Sequence, residues 1–479
     1  MIKKVLYISV FFVAIFICIT VANAQQWAKS YGGEYMDELY SIQQTTDGGY
    51  VVAGYTKSLS RGYSDFWILK LDKNGDIQWQ KAYNTGSSGN EFFSIQQTSD
   101  GGYIVAGICR HAESCIFKLD NDGNIQWGKR YGRPEGYDEI FSIRQTSDGG
   151  YIIAGRTWSF SDIGMGTPNA WILKLDTNGN IQWQKIYGSE GWEIISDIYQ
   201  TSDGGYIVVG SFEWLFTVWD DVWVLKLDAN GNIQWQKTYG GAGRDYGKSI
   251  QQTRDGGYIV AGSTWSFSSL DLGALNGWIL KLDANGNIQW QKMYGGFNED
   301  RFSSIQQTKD GGYIVTGNTN SFGLGESDVW VLKLDANGNI QWQKTYGGAG
   351  RDFSSSIQQI KDGGYIVGGS LTPSGKEYRD FLVLKLDKNG DIPGCNLIRI
   401  SKAFVENTDA NIYVPSIKAK NTNVIPEAVN VIVINTSVIS TIHCYHSTPD
   451  TCTPPFIDVS CDHWAIDNIS AIKDAGITY

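Results

Sequence analysis

Polar and apolar residues alternate along this chain in short bursts, and the bursts recur in sets of four. One set reads Ser41-Ile42-Gln43-Gln44-Thr45, Tyr50-Val51-Val52-Ala53-Gly54, Trp67-Ile68-Leu69-Lys70-Leu71-Asp72 and Ile77-Gln78-Trp79-Gln80-Lys81. Runs this short, rich in β-branched and aromatic side chains and bounded by Gly, Asn and Asp, predict strands. We letter them A to D. The A-to-B connection is Asp-Gly-Gly. The C-to-D connection is Asn74-Gly75, repeated as Asp122-Gly123, Asn178-Gly179, Asn230-Gly231, Asn285-Gly286, Asn337-Gly338 and Asn389-Gly390. Such dipeptides accept the positive φ that a tight hairpin needs if its twist is to match the strands. Each set therefore predicts an antiparallel four-stranded sheet. Strands B and C are apolar at nearly successive positions, so both faces of each sheet must be covered.

The tetrapeptide Asp-Gly-Gly-Tyr begins at Asp47, Asp100, Asp148, Asp203, Asp255, Asp310 and Asp362, with spacings of 53, 48, 55, 52, 55 and 52 residues. A period near fifty marks a repeat architecture, and sheets covered on both faces stack around an axis as blades. The seventh copy lacks strand D, because after Asn389-Gly390 the chain runs into Asp391-Ile392-Pro393-Gly394. The missing strand is at the other end: Gln26-Trp27-Ala28-Lys29-Ser30-Tyr31-Gly32-Gly33 matches Gln234-Trp235-Gln236-Lys237-Thr238-Tyr239-Gly240-Gly241. The expected fold is all-β, a closed seven-bladed β-propeller over residues 25–392, with the N-terminal strand completing the last blade and removing the open edges. An open superhelical stack would not explain why the two ends complement each other.

At these residues the chain resembles the repeat β-propeller proteins of bacterial secretion, with a clasp like that of WD-repeat propellers. The resemblance implies architecture and carries no activity with it. The period is lost over 393–451, which reads as irregular β or an extended stalk, and Thr453-Pro454-Pro455 marks a linker. Residues 452–479 include Phe456-Ile457-Asp458-Val459 and Asp462-His463-Trp464-Ala465 and end in Ala475-Gly476-Ile477-Thr478-Tyr479. This segment resembles the first half of an S-layer homology motif. Physically it reads as a short helix capped by Asp462, striped by Trp464, Ala465, Ile469 and Ile472, and ended by Gly476. Sets of such motifs bind cell-wall polysaccharide, and here one incomplete copy is present.

Composition agrees with a folded β protein: 42% of the 479 residues are hydrophobic and 19% charged, with 57 Gly against 9 Pro. Residues 1–24 carry Lys3 and Lys4, the apolar run Val5 to Val21 and then Ala22-Asn23-Ala24, the pattern of a cleavable secretory signal. No second apolar span of membrane length follows, so a secreted or cell-surface location without a transmembrane anchor is expected. Removing the two lysines takes the formal charge from −11 to −13. That acidic balance disfavours nucleic acid as a partner. Six cysteines remain, an even number suited to disulfides in an exported chain. Cys109 with Cys115, Cys395 with Cys444 and Cys452 with Cys461 are the pairings suggested by proximity.

No P-loop, dinucleotide fingerprint, nucleophile elbow or zinc-protease pattern occurs, and the four histidines fit no metal motif. No catalytic residue, metal or cofactor is expected. The Asp-x-Asn-Gly-Asn turns have glycine too early and lack the closing Glu of a calcium loop. Ahead of each strand A sits an acid or amide: Asp37, Asn90, Asp138, Glu193, Asp245, Asp300 and Asp352. These could ring one mouth of the channel and attract a cation, or cap their own loops. The D-to-A and B-to-C loops share one face, and the B-to-C loops vary in length and are aromatic. Phe212, Trp214, Phe216 and Trp219 in blade four, with Trp158 and Trp265, are the candidate binding residues, although Thr157-Trp158-Ser159-Phe160 recurs as Thr264-Trp265-Ser266-Phe267. Flat rings beside Asp and Asn suit sugars or protein hot spots. A monomeric, non-enzymatic protein binding cell-wall glycan or a surface protein is expected. A glycan hydrolase or lyase with carboxylates at the channel mouth is the alternative, and a purely structural display module another.

Overall fold

The protein is represented by a computed structural model that describes residues 25–59, 64–86, 89–109, 113–133, 136–159, 167–188, 191–213, 220–267, 274–408, 411–413, 418–421, 427–428, 432–435 and 440–445. The expected signal segment, the S-layer-like segment and the Cys452–Cys461 pairing lie outside these residues. Among the described residues no helix is long and apolar enough to cross a membrane.

Seven antiparallel sheets form, six of them with strands A to D in chain order. The A strands are Asp37–Gln44, Glu91–Gln97, Asp138–Gln145, Trp192–Gln200, Asp245–Gln252, Asp300–Gln307 and Phe353–Gln359. Each lies against strand A of both neighbours, and the series closes from the seventh back to the first, so the A strands surround the axis. Strand Trp27–Tyr31 pairs with Asp380–Leu386 and completes blade seven, as expected.

Two circuits of contacts explain the residues that recur. The Gln ending each strand A accepts on Oε1 a backbone N–H from the A-to-B turn of the preceding blade, at 2.8–3.0 Å, from Thr46 onto Gln97 round to Lys361 onto Gln44. The strand-D tryptophan and tyrosine form the second circuit against the next blade's C-to-D turn. Trp235 lies over Gly286, whose φ is +73° and whose added Cβ would stand 2.8 Å from the indole, while Tyr239 Oη donates to the Gly286 carbonyl at 2.7 Å. The same pair recurs from Trp27 and Tyr31 on Gly75 to Trp342 and Tyr346 on Gly390. Glycine is required there twice over, for its backbone and for the room it leaves.

Residues 393–451, read from sequence as irregular β or an extended stalk, contain short strands that pack on the blades. Their described part contains seven short strands, and each adds antiparallel to the outer edge of one blade as a fifth strand. Ile398–Ile400 joins blade six, Phe404–Asn407 blade five, Asn411–Tyr413 blade four and Lys418–Asn421 blade three. Glu427–Ala428 joins blade two, Ile432–Asn435 blade one and Ser440–Tyr445 the Trp27–Tyr31 strand of blade seven. The segment is a belt that runs once around the rim, against the order of the blades. Its physical reason is the row of unpaired N–H and C=O groups that every strand D would otherwise expose. Cys395 and Cys444 are bonded, which joins the start of the belt to its end, and Cys109 is bonded to Cys115 across strands B and C of blade two.

Candidate functional site

Five of the acids ahead of the A strands, Asp37, Asp138, Asp245, Asp300 and Asp352, are loop clamps. Asp37, Asp138, Glu193, Asp245, Asp300 and Asp352 are all fully buried. Asp245 accepts from the Gly241 N–H at 3.0 Å and from Ser266 Oγ at 2.6 Å, which ties its D-to-A loop to the B-to-C loop of the same blade. Asp37 does so through Gly33 and Ser58, Asp138 through Arg133 and Ser159, and Asp300 through Gly296 and Ser321. Asp352 accepts from the N–H groups of Gly348 and Thr372. Burial outweighs these bonds, raising Asp245 to about 7 and Asp352 to about 6 and lifting Asp37 and Asp300 above the usual carboxylate range. Carboxylates enclosed in this way do not form a ring exposed to solvent.

The loop aromatics divide. Phe212 is buried, with its ring 6.1 Å from that of Trp223, so it belongs to the core between blades. Trp158 and Trp265 are half-buried, each edge-on to a tyrosine of its own blade, Tyr137 at 6.3 Å and Tyr246 at 6.0 Å. Trp214, Phe216 and Trp219 lie outside the described residues.

A feature that the sequence reading missed lies in the A strands themselves. All seven carry a β-bulge at the same place, where one residue is skipped in the pairing with strand B. The extra residues are Tyr40, Phe93, Phe141, Ser196, Lys248, Ser303 and Ser355. A bulge bends its strand and re-aims a side chain, here on the innermost strand of every blade. The backbone device is sevenfold while the side chain it presents is not. Tyr40, Phe93 and Phe141, from three adjacent blades, meet as tilted rings with centres 5.1 and 5.6 Å apart. Three small serines and Lys248 complete the circle. Aligning the seven copies and asking where they disagree inside a strand would have found these positions.

Two residues before each bulge the charge also divides by side. Blades one to three have Glu38, Glu91 and Glu139, and blade six has Arg301. Glu38 pairs with Arg379 at 2.6 Å, and Arg379 lies 4.7 Å from the Phe353 ring centre. Glu139 pairs with Arg156, whose guanidinium stands 4.7 Å from the Trp158 ring and 5.5 Å from Phe141. Farther along strand A, Asp197 replaces the usual serine, and Arg144 lies over Tyr199 at 4.1 Å and 3.4 Å from Asp197. Blades three and four thus depart from the repeat within the ring.

No family model matches the chain. It is 25% identical over 250 residues to the regulatory protein FlaEY of Caulobacter vibrioides, a match covering 46% of this chain and 25% of that protein. The match therefore spans about a quarter of that relative's length. Among solved structures it is similar to the Pan2 WD40 domain of Neurospora crassa, at 11% identity over 72% of this chain and 88% of that one, with a TM-score of 0.46. It is also similar to Sqt1 of Chaetomium thermophilum, at 12% identity over 79% and 89%, with a TM-score of 0.45.

Proposed function

We propose that this propeller is a non-enzymatic binding protein at or outside the cell surface, presenting the loop face of its ring, centred on the bulges, to a glycan or protein ligand. The observation that carries this reading is the contrast between the seven copies. They agree at the Gln circuit and the Trp-Tyr-Gly circuit, and five of them share the buried Asp clamp, which together build the ring. They disagree at the bulges and in the B-to-C loops, and function on a rigid scaffold concentrates where its presented positions vary. An aromatic wall flanked by charge supplies apolar area and orientation together. The two disulfides and the Ala22-Asn23-Ala24 pattern support an exported chain. Wall attachment through the segment 452–479 belongs to the same proposal.

The test is a binding and turnover screen of the full chain against peptidoglycan, a panel of polysaccharides and surface-protein extracts, with Phe93→Ser, Trp158→Ala and Trp214→Ala in parallel. Saturable binding without turnover, weakened at least tenfold by Phe93→Ser, is expected. Turnover, or binding indifferent to all three substitutions, would sink the reading.

A further inference from the structure

The charges around the bulge ring do not balance locally. Glu38 and Glu139 each hold an arginine, and Arg301 pairs with Glu299 at 2.9 Å. Glu91, between the two paired glutamates, has no cation within ion-pair distance among the described residues, and Lys248 has no carboxylate. Burial, with Glu38 and Glu139 nearby, lifts the Glu91 carboxyl above its ordinary range against the pull of Lys57. Lys248 is solvent-accessible, yet surrounding protein and then Arg301 and Arg156 press its ammonium below the usual lysine range. Lys248 sits among charges of its own sign, and Glu91 lies between two glutamates with Lys57 as the opposing charge. Like charges held together favour the uncharged form unless a counter-charge arrives.

Their positions are complementary. Glu91 is on blade two beside Phe93, in the middle of the Tyr40, Phe93 and Phe141 wall, and Lys248 is itself the bulge residue of blade five. Three blades is the greatest separation that a ring of seven allows, so the two charges stand on opposite sides of the axis. Aromatic faces attract a cation as well as apolar surface. An uncharged glycan would use the wall and leave both charges unanswered.

Resting on the proposed loop-face binding site, we propose that the bulge ring binds a peptide carrying an ammonium or guanidinium group and, some residues away, a carboxylate: the cation against Glu91 and the aromatic wall, the carboxylate at Lys248. Recognition is by charge separation, so a peptide with one of the two charges loses most of its affinity.

Titration calorimetry of the full chain tests this with acetylated peptides of one Lys, one to five Ala and a free C-terminal carboxylate. The same peptides ending in an amide, all-Ala peptides ending in a carboxylate, and chitotetraose serve as comparisons. At one spacer length the doubly charged peptide should bind at least tenfold tighter than either singly charged one. Glu91→Gln should erase the advantage of the Lys, Lys248→Met that of the carboxylate, and Lys248→Arg should keep it. Equal binding of all peptides, or a preference unchanged in both variants, would overturn the proposal. If chitotetraose or a polysaccharide binds and Phe93→Ser abolishes it while peptides do not bind, the peptide proposal falls and the binding face stands. If no tested peptide or glycan binds, the peptide proposal falls; if every interaction found in the wider screen also ignores Phe93→Ser, Trp158→Ala and Trp214→Ala, the binding face falls with it.

Discussion

At Gly286 three demands meet in one residue: a φ of +73°, a carbonyl that accepts from Tyr239, and a surface on which Trp235 lies. Tyr239→Phe removes a buried hydrogen bond and should lower unfolding stability by about 1–2 kcal/mol in urea titrations. Gly286→Ala adds backbone strain and an indole clash and should cost more than Tyr239→Phe in the same assay. The buried clamps set a pH dependence of unusual sign. Asp245 and Asp352 ionise at about 7 and about 6 in the folded chain against 3.8 for an unperturbed aspartate, so the folded state binds more protons in that window. Their contribution grows as pH falls from 8 towards 5. For Asp47 and Asp203 burial alone would raise the pKa, but bonds from Lys70 or Lys226, from Thr45 or Thr201 and from a glycine N–H bring them to about 2. Their stabilisation is present above 4 and is lost as pH falls towards 2. The urea midpoint should therefore be higher near pH 5 than at pH 8 and drop again below pH 3, and Asp245→Asn should flatten the slope between 5 and 8.

Strands A to D were legible because each is five or more residues long, is punctuated by Asp-Gly-Gly or Asn-Gly, and returns after about fifty residues. The belt was not, because its strands are two to six residues long and carry no hairpin punctuation. Its signal is fainter: Asn407-Thr408, Asn421-Thr422 and Asn435-Thr436 recur at intervals of 14 residues, each at the end of a belt strand. Thr408 shows one use of that pattern, since its Oγ1 accepts from the Trp278 indole at 3.0 Å; Ser401 accepts from Trp330 at 3.2 Å. Thr408→Val should leave the Trp278 N–H without that acceptor and destabilise by about 1–3 kcal/mol, with faster hydrogen exchange along Phe404–Asn407. The bulges were hidden for another reason. An extra residue inside an unbroken strand-like run changes pairing without changing composition, so Phe93 and Lys248 read as ordinary strand positions until the register with strand B was known. The acids ahead of strand A were found by sequence, but whether they faced the channel or their own loops depended on burial, which spacing does not encode.

On the scale of the whole molecule the ring is closed twice, once by Trp27–Tyr31 within blade seven and once by the belt around all seven blades. The first closure was readable because the two chain ends complement each other; the second required the structure. Cross-linking Cys395 to Cys444 constrains a loop with a sequence separation of 49, which by chain entropy is worth about 4 kcal/mol before strain. Replacing both with Ser should lower the thermal midpoint and raise hydrogen exchange across 398–445, with the A, B and C strands little changed in native conditions. Equal exchange in the two forms would mean that the belt is held by its strand pairing alone.

That bond also decides where tension goes. A pull on the chain beyond residue 446 reaches Cys444 first, and the disulfide hands it to Cys395 and so to Asp380–Leu386, which is gripped on both sides by strands of blade seven. The belt strands from Ile398 to Ser440 lie in the slack of that loop and bear none of the load. Without the bond the same pull would unzip them one blade at a time, starting at Ser440–Tyr445. A pull from beyond residue 446 is therefore taken up by blade seven without undoing the rim.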